Sequence, residues 1–286
     1  YFISNLSGSL SLYRMDAGGS VPEPLLPPDI ALQNPTLLPG RPFEVYPDLE
    51  LVVVMIDADG DENYQPMVVP ITGGYPEPAF GDVLANERVA LQETDRTAHT
   101  ALLIAESRTE SLYTAYRANL ADRSLTKLGE GKYGAFPVGE STDKTLTVVT
   151  EAYGMGDHVG YLHEAGSDTR SLLFGVPLAD REPDAAVPPN SIGACWFVDD
   201  DSAILFTTSL WQDTYGLGTI ELPDGDPEPV AIEGTVHSGL GELEYIEHLR
   251  DDRFALTYNI DGCAWVYEGT YEHAGRRLQL DHVLVG

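Results

Sequence analysis

The sequence has little of several features that mark large classes of proteins. It contains only two cysteines, Cys195 and Cys263, which lie far apart and form no Cys-x-x-Cys pattern, so a disulfide-built secreted scaffold is not indicated. The residues alone leave open whether the two are thiols or one disulfide. No apolar run approaches the roughly 18 residues of a membrane-spanning helix, and no charged-then-apolar segment opens the chain. We therefore expect a cytoplasmic protein without a membrane segment.

Basic residues are also scarce. Sixteen lysines and arginines face 46 acidic residues, which gives a formal net charge of −30. A surface this acidic repels phosphate backbones and anionic lipids, so we expect no binding to nucleic acid or membrane through a basic patch. The acidic residues are spread through turns, which fits a solvated surface or, as an alternative, a cation-binding role. With 43% hydrophobic residues, the chain has enough material for a packed core, which argues against disorder.

Helical periodicity is nearly absent, but one unit recurs along the chain. A β-rich run is followed by a polar turn, a second β-rich run and a Gly/Pro/Asp turn. In the second copy these parts are LVVVMI, DADGDENYQ and PMVVPITGGYPEPAF. Alignment of the second β-rich run places six residues at equivalent positions, which by subtraction lie 54, 49, 45, 58 and 47 residues apart: Tyr13, Met67, Tyr116, Tyr161, Thr219 and Val266.

Repeats of about 40–50 residues with several short strands each are typical of β-propeller blades. A single four-stranded blade cannot cover both of its faces, whereas blades packed face to face bury them. We therefore predict an all-β fold, a β-propeller of six or seven four-stranded blades that forms one domain over residues 1–286. The first copy lacks its leading strand, and the segment PLADREPDAAVPPN is predicted to be an inserted loop.

The second copy resembles the propeller repeats of the prolyl oligopeptidase family, especially its acylaminoacyl-peptidase-like branch. Those repeats show a hydrophobic strand, an Asp-rich turn, an aromatic/Gln pair and a strand closed by Gly-Gly and Pro. The residues that carry the resemblance are Asp57, Asp59, Gly60, Asp61 and Glu62 in the turn, Tyr64 and Gln65 in the pair, and Gly73 and Gly74 at the close. The first copy fits the same pattern, and the other four match only in hydrophobic rhythm and turn composition.

The resemblance implies a two-part serine peptidase in which a propeller caps an α/β-hydrolase domain and restricts access to peptides. The nucleophile elbow of such a hydrolase, Gly-x-Ser-x-Gly, is absent from this chain. The segments around Ser141 and Ser238 both fail its spacing. We therefore expect no catalytic residue and no cofactor here. The chain is predicted to be the N-terminal part of a longer peptidase, and its expected partners are the hydrolase domain of the same polypeptide and peptides.

The Asp-rich turn is a weak candidate for a calcium site, because carboxylates at alternating positions of a tight loop can converge on one cation. The spacing of the EF-hand loop is not met, since its sixth and twelfth positions are not Gly and Glu here. The alternative is a hairpin turn in which Gly60 takes a positive φ and the acids face water. The candidate ligands are Asp57, Asp59, Asp61 and Glu62.

Other constellations are weaker. The seven histidines are scattered and form no His-Glu-x-x-His or His-x-His pattern, which favours structural or surface roles over a zinc site. A Ser-His-acid site assembled from Asp157 and His158, or from His237, Ser238 and Glu242, has no recognisable oxyanion-hole element. An independent propeller enzyme would need a central metal cluster, which the sequence does not reveal.

Four aromatic residues at expected hairpin tips, Tyr64, Tyr153, Trp211 and Tyr215, are candidates for a rim that binds substrate or a partner domain. Packing between blades is the alternative for each of them. The predicted function is that of a non-catalytic propeller domain which caps a hydrolase domain and filters peptides. The alternative is a stand-alone TolB-like propeller that serves as a scaffold for protein interactions.

Overall fold

The computed structural model describes residues 1–58, 60–167, 169–182, 184, 186–187 and 189–286. Across these residues the regular structure consists of 23 β-strands and three short 3-10 helices, Pro35–Leu37, Pro47–Leu49 and Leu178–Asp180. The predicted all-β class is therefore confirmed. No helix in the described part is long and apolar enough to cross a membrane.

Backbone contacts divide the chain into two compact units, unit 1 from Tyr1 to Pro137 and unit 2 from Val138 to Gly286. In unit 1 the strands form one three-stranded and two four-stranded antiparallel sheets, here called modules 1 to 3. Their strands are β1 Phe2–Ser4, β2 Ser11–Arg14 and β3 Glu23–Pro24; β4 Phe43–Tyr46, β5 Leu51–Ile56, β6 Gln65–Pro70 and β7 Glu77–Pro78; β8 Glu87–Asp95, β9 Thr100–Ser107, β10 Tyr113–Asn119 and β11 Ser124–Gly131.

Modules 4 to 6 make up unit 2, and the first strand of module 4 begins at the boundary between the units. Each of these modules has four antiparallel strands. They are β12 Phe136–Glu140, β13 Leu146–Gly154, β14 Asp157–Glu164 and β15 Arg170–Phe174; β16 Ile192–Val198, β17 Ala203–Thr208, β18 Gly216–Glu221 and β19 Glu228–Glu233; β20 Gly241–Arg250, β21 Arg253–Ile260, β22 Cys263–Glu272 and β23 Arg277–Val285.

The repeat in the sequence matches the repeat in the structure. The six aligned residues all lie on the third strand of a four-stranded module or on its counterpart, β2, in module 1. Module 1 lacks a first strand, as the sequence predicts, and the segment predicted to be an inserted loop follows β15. The described chain thus holds five groups of four strands and one of three, and the number of blades stays a prediction.

Modules 5 and 6 are joined into one eight-stranded sheet, which the repeat pattern does not predict. Their last strands, β19 and β23, pair in parallel, with Ala231 opposite Arg277 and Glu233 opposite Gln279. Arg276 of the preceding turn forms an ion pair with Glu228 across the join. Because an unpaired edge strand exposes a row of backbone donors and acceptors, this pairing protects both edges over the shared residues.

In modules 2, 3 and 5 the second strand, which lies inside its sheet, is buried along most of its length. Strand β5 is buried over Val52–Met55, and β17 is buried over its whole length. Continuous apolar runs are expected for strands covered on both sides. In unit 2 the core includes Leu205, Phe254 and Tyr267.

Neither cysteine is disulfide-bonded. The Cys195 thiol is buried, and the Cys263 thiol is exposed.

A buried carboxylate connects modules 2 and 3. Glu44 of β4 accepts hydrogen bonds from Thr94 Oγ1 at 2.7 Å and from Arg96 Nε at 2.7 Å. Burial by itself raises the pKa of Glu44, but the bonds from Thr94, the Val45 N–H and Arg96 outweigh it, so the pKa is lowered. A charged group that is removed from water is tolerated only when it is paired in this way.

Candidate functional site

The loops of unit 2 fall into two sets, because consecutive strands of each module run in opposite directions. The parallel pairing of β19 with β23 shows that corresponding strands of modules 5 and 6 run in the same direction, so equivalent loops of the two modules lie at the same end. Module 4 is aligned with module 5 by the bond from Thr142 N to Asp201 Oδ2 at 2.8 Å and by the bond from Asn190 N to Gly156 O at 2.8 Å. The hairpin end consists of loops 155–156, 175–191, 209–215, 234–240 and 261–262, and the turn end consists of loops 141–145, 165–169, 199–202, 222–227, 251–252 and 273–276.

Three of the four predicted rim aromatics lie at the hairpin end. Trp211 is 43% exposed, and its ring packs over Gly218, where an added Cβ would meet the indole at 3.0 Å. Tyr215 is half-buried, and its carbonyl accepts a bond from Gln212 Nε2 at 2.5 Å. The neighbouring Thr214 carbonyl accepts a bond from Leu243 N at 3.0 Å. The loop that carries these aromatics is thereby fixed to module 6.

Tyr153 holds the long loop after β15. Its hydroxyl donates to Glu151 Oε2 at 3.0 Å and accepts a bond from Leu178 N at 3.3 Å. The Arg181 guanidinium lies over its ring, with Cζ 4.9 Å from the centroid. Burial raises the pKa of Tyr153, so the phenol stays protonated and remains a donor. The ring is half-buried and contributes to the hairpin end as a support more than as an open surface.

Tyr64 does not belong to this surface. Its side chain is 1% exposed and packs in the core of unit 1 with Leu84 and Val89, so the expectation that it is exposed is wrong. Burial raises the pKa of its hydroxyl, and Arg88 lies 5.8 Å from the ring centroid. The residue directly precedes β6, and a large apolar ring at that place is used to fill the core.

Arg181 fixes the loop 175–191 to the hairpin of module 4. Its two terminal nitrogens donate to the two carboxylate oxygens of Asp157 at 2.6 and 2.7 Å, and its Nε donates to Val176 O at 2.9 Å. The hydrogen bonds that the guanidinium donates to Asp157 raise its pKa further above the ordinary value. Bidentate pairs of this kind fix geometry as well as charge. The described part of the loop is thus held in place.

Asn190 closes the same loop. Its side chain accepts a bond from His158 N at 2.9 Å and donates to His158 O at 3.0 Å, so it imitates a neighbouring strand. The His158 Nδ1 in turn lies 3.0 Å from Ile192 N and 3.1 Å from Ile192 O. Burial lowers the pKa of His158, although the Ile192 backbone and Asp157 act in the opposite direction, and so favours the neutral ring.

The hairpin end also exposes apolar side chains that sequence reasoning missed. Met155 is 94% exposed and Leu240 is 87% exposed. Three further exposed hydrophobic residues that the sequence did not indicate lie in loops of the hairpin end, Val176, Leu178 and Val236, and the predicted Trp211 lies in another loop of that end. The only sequence signal is Met155 between two glycines at a hairpin tip. Large apolar patches on a soluble protein mark interaction surfaces.

The turn end has the opposite character. Its described loops contribute none of the exposed large hydrophobic residues of unit 2. The acidic turn 199–201 consists of three successive aspartates, all with a positive φ. His273 Nε2 lies 3.0 Å from Glu221 Oε1 and 3.6 Å from Asp199 Oδ2, beside a cavity of about 560 Å³ that Tyr271 also lines. This end is solvated and charged.

The predicted calcium turn is a hairpin turn in the residues that are described, and Asp59 lies outside them. Gly60 has a φ of +80°, as the hairpin interpretation predicts. Asp61 Oδ1 accepts bonds from Ala58 N at 3.2 Å and Asn63 N at 2.9 Å, so this carboxylate caps the backbone of its own turn. Among the described residues no group of three or more His, Cys, Asp or Glu side chains is arranged to hold a metal ion.

The weak triad candidates have other partners. Asp157 binds Arg181, and His158 bonds to Ile192. His237 Nδ1 lies 2.7 Å from the Tyr267 hydroxyl, while Ser238 is exposed. Ser141 is buried and donates to Asp143 Oδ1 at 2.9 Å within a turn. These residues therefore serve local structure in the described chain.

No protein-family model matches the sequence, and no curated protein is detectably similar to it. Among solved structures, prolyl oligopeptidase B from Galerina marginata, bound to a 25mer macrocyclization substrate, superposes with a TM-score of 0.58 at 12% identity, over 97% of this chain and 41% of its own. TolB from Acinetobacter baumannii gives a TM-score of 0.48 at 13% identity, over 73% of this chain and 47% of its own.

At 12% identity the likeness to prolyl oligopeptidase B is one of fold, and that fold is a β-propeller. The chain therefore has a β-propeller fold of the kind found in prolyl oligopeptidases. It spans less than half the length of the Galerina and Acinetobacter proteins. The functions of those proteins cannot be assigned to this chain from the fold alone, because propellers serve many unrelated functions.

Proposed function

We propose that the chain is the non-catalytic propeller part of a prolyl-oligopeptidase-like serine peptidase, where it caps an α/β-hydrolase domain and filters peptide substrates. The observation that carries the proposal is the superposition over 97% of this chain on only 41% of prolyl oligopeptidase B. The motif in the first two modules supports the same family, and the chain has no Gly-x-Ser-x-Gly elbow of its own.

The filter acts by size and by charge. A propeller cap excludes folded proteins, and a net charge of −30 favours cationic or neutral peptides. Because exposed charges are screened within about 8 Å at physiological salt, this selectivity depends on ionic strength. We expect the kcat/KM for a lysine-containing peptide to fall with added salt, while that for an uncharged peptide of equal length changes little.

The experiment begins with the gene. The reading frame beyond Gly286 should encode a Gly-x-Ser-x-Gly elbow with a later Asp and His, and the complete polypeptide should hydrolyse acyl-peptide p-nitroanilides but not folded proteins. Residues 1–286 alone should be inactive. A stop codon after Gly286, or hydrolysis by residues 1–286 alone, would contradict the proposal. The stop codon would favour a stand-alone interaction scaffold instead.

A further inference from the structure

We propose that the hairpin end of unit 2 is the surface on which the hydrolase domain docks, an inference that rests on the proposed function. Among the described residues, the large hydrophobic side chains of unit 2 that lie exposed in loops belong to this end: Met155, Val176, Leu178, Trp211, Val236 and Leu240. The other exposed hydrophobic residues of unit 2 lie on strands, as Leu172 does on β15. The turn end, built from the same modules, supplies none in its described loops.

Two loops of the hairpin end are held in place by hydrogen bonds and an ion pair. The described part of the loop 175–191 is held by the Arg181–Asp157 pair and by Asn190, and the loop 209–215 is held by Leu243 N. Docking on loops that are already fixed costs less conformational entropy than docking on loops that must be ordered. The exposed side chains come from four loops and do not line one described groove. A broad surface of this kind suits a folded domain better than a single extended peptide.

Charge decides between a hydrolase domain and a second copy of this chain. Two copies would each carry a net charge of −30 over the whole chain, and like net charges oppose such a contact. The turn end carries the denser acidic loops: eight described aspartates lie there, Asp143, Asp199, Asp200, Asp201, Asp224, Asp226, Asp251 and Asp252. The hairpin end is the less charged of the two, so a domain with an apolar, neutral or basic face fits it.

Methionine oxidation tests the docking. Met155 is 94% exposed, and Met15, in a turn of unit 1, is 44% exposed and serves as the internal control. In residues 1–286 alone we expect dilute peroxide to oxidise Met155 faster than Met15. In the complete polypeptide Met155 should react at least about fivefold more slowly, with Met15 unchanged, because a covered thioether is shielded from oxidant. Mass spectrometry of the digested protein gives both rates.

A matched pair of charge insertions strengthens the test. Leu240→Asp at the hairpin end should lower the peptidase kcat/KM and restore fast oxidation of Met155, since it places a carboxylate in the interface. Leu172→Asp, at an exposed leucine on β15, should change neither by more than about twofold. Equal urea midpoints for both variants of residues 1–286 show that they remain folded.

Each contrary result has a distinct meaning. If Met155 reacts equally fast in an active complete polypeptide, the hydrolase docks elsewhere, and the docking proposal fails while the proposed function stands. If sedimentation shows that residues 1–286 form a dimer which Leu240→Asp dissociates, the occupant is a second copy, and the docking proposal also fails. If the reading frame encodes no hydrolase, both proposals fail, and the gene sequence shows this before any oxidation is measured.

Discussion

The hairpin end and the turn end of unit 2 are built from the same strands and carry opposite surfaces. At the turn end, acidic loops such as 199–201 face water. At the hairpin end, Met155 and Leu240 are almost fully exposed, while Arg181 and Asn190 fix the long loop beside them. A sheet has no preference for one end over the other, so the difference lies in the loops. Loops carry function on scaffolds of this kind.

The contrast extends to how each end is held together. Asn190 is 6% exposed, and both of its side-chain bonds are made to backbone groups of His158. At the turn end, the ion pair of Arg276 with Glu228 joins two side chains that are each at least 40% exposed. We therefore expect the hairpin end to be more sensitive to the loss of polar contacts than the turn end.

The largest effect is expected for Asn190→Ala. The substitution leaves the His158 N–H and C=O without their partners in a partly buried place, which costs about 1–3 kcal/mol in the free energy of unfolding. Urea unfolding measures this loss. Asn119→Ala is the matched control, because Asn119 accepts its bond from Ala121 N in an exposed turn, and it should cost under about 1 kcal/mol. Equal losses in the free energy of unfolding for the two variants would contradict the expectation that polar contacts matter more at the hairpin end.

A smaller difference in the free energy of unfolding is expected between the alanine substitutions of Arg181 and Arg276. Arg181→Ala removes a mostly buried bidentate pair with Asp157 and should lower the free energy of unfolding by about 1–2 kcal/mol. Arg276→Ala removes an exposed pair at the turn end and should change it by less than about 1 kcal/mol. Both are read from urea midpoints at low salt. A larger loss for Arg276→Ala would reverse the comparison.

The smallest expected effect is a dependence on pH. The folded pKa of His158 lies below the ordinary 6.5 because the ring is buried. Its neutral form therefore stabilises the fold fully above pH 6.5, and this contribution is lost as the pH falls through the lowered pKa. Between pH 6.5 and 5, above the ordinary pKa values of aspartate and glutamate, the wild type should lose stability and His158→Gln should lose less. If the free energies of unfolding of the wild type and of His158→Gln fell in parallel with pH, His158 would not contribute to the pH dependence of stability.

Much of the fold follows from the sequence because strand formation depends on local pattern. The run LVVVMI becomes a strand because it can be buried on both faces. The Asp261–Gly262 pair makes a two-residue hairpin turn because both residues take a positive φ, at 52° and 80°. The six aligned positions follow from the same regularity. The repeat thus predicts where strands begin and which strand is which within a module.

The site is less predictable because exposure depends on packing between elements that are distant in sequence. The sequence predicts both Tyr64 and Trp211 at hairpin tips, yet Tyr64 packs in the core of unit 1 and Trp211 is partly exposed. Met155 gives almost no signal, and the parallel join between β19 and β23 depends on residues that lie 46 apart, as Glu233 and Gln279 do. No local pattern records such contacts.

The most direct test is amide hydrogen exchange of residues 1–286 compared with the complete polypeptide. The account predicts slower exchange in the complete polypeptide at loops 155–156, 209–215 and 234–240, and unchanged exchange at loops 199–202 and 251–252. Protection confined to the turn-end loops, or no protection at either end, would contradict the claim that this propeller receives its hydrolase domain at the hairpin end.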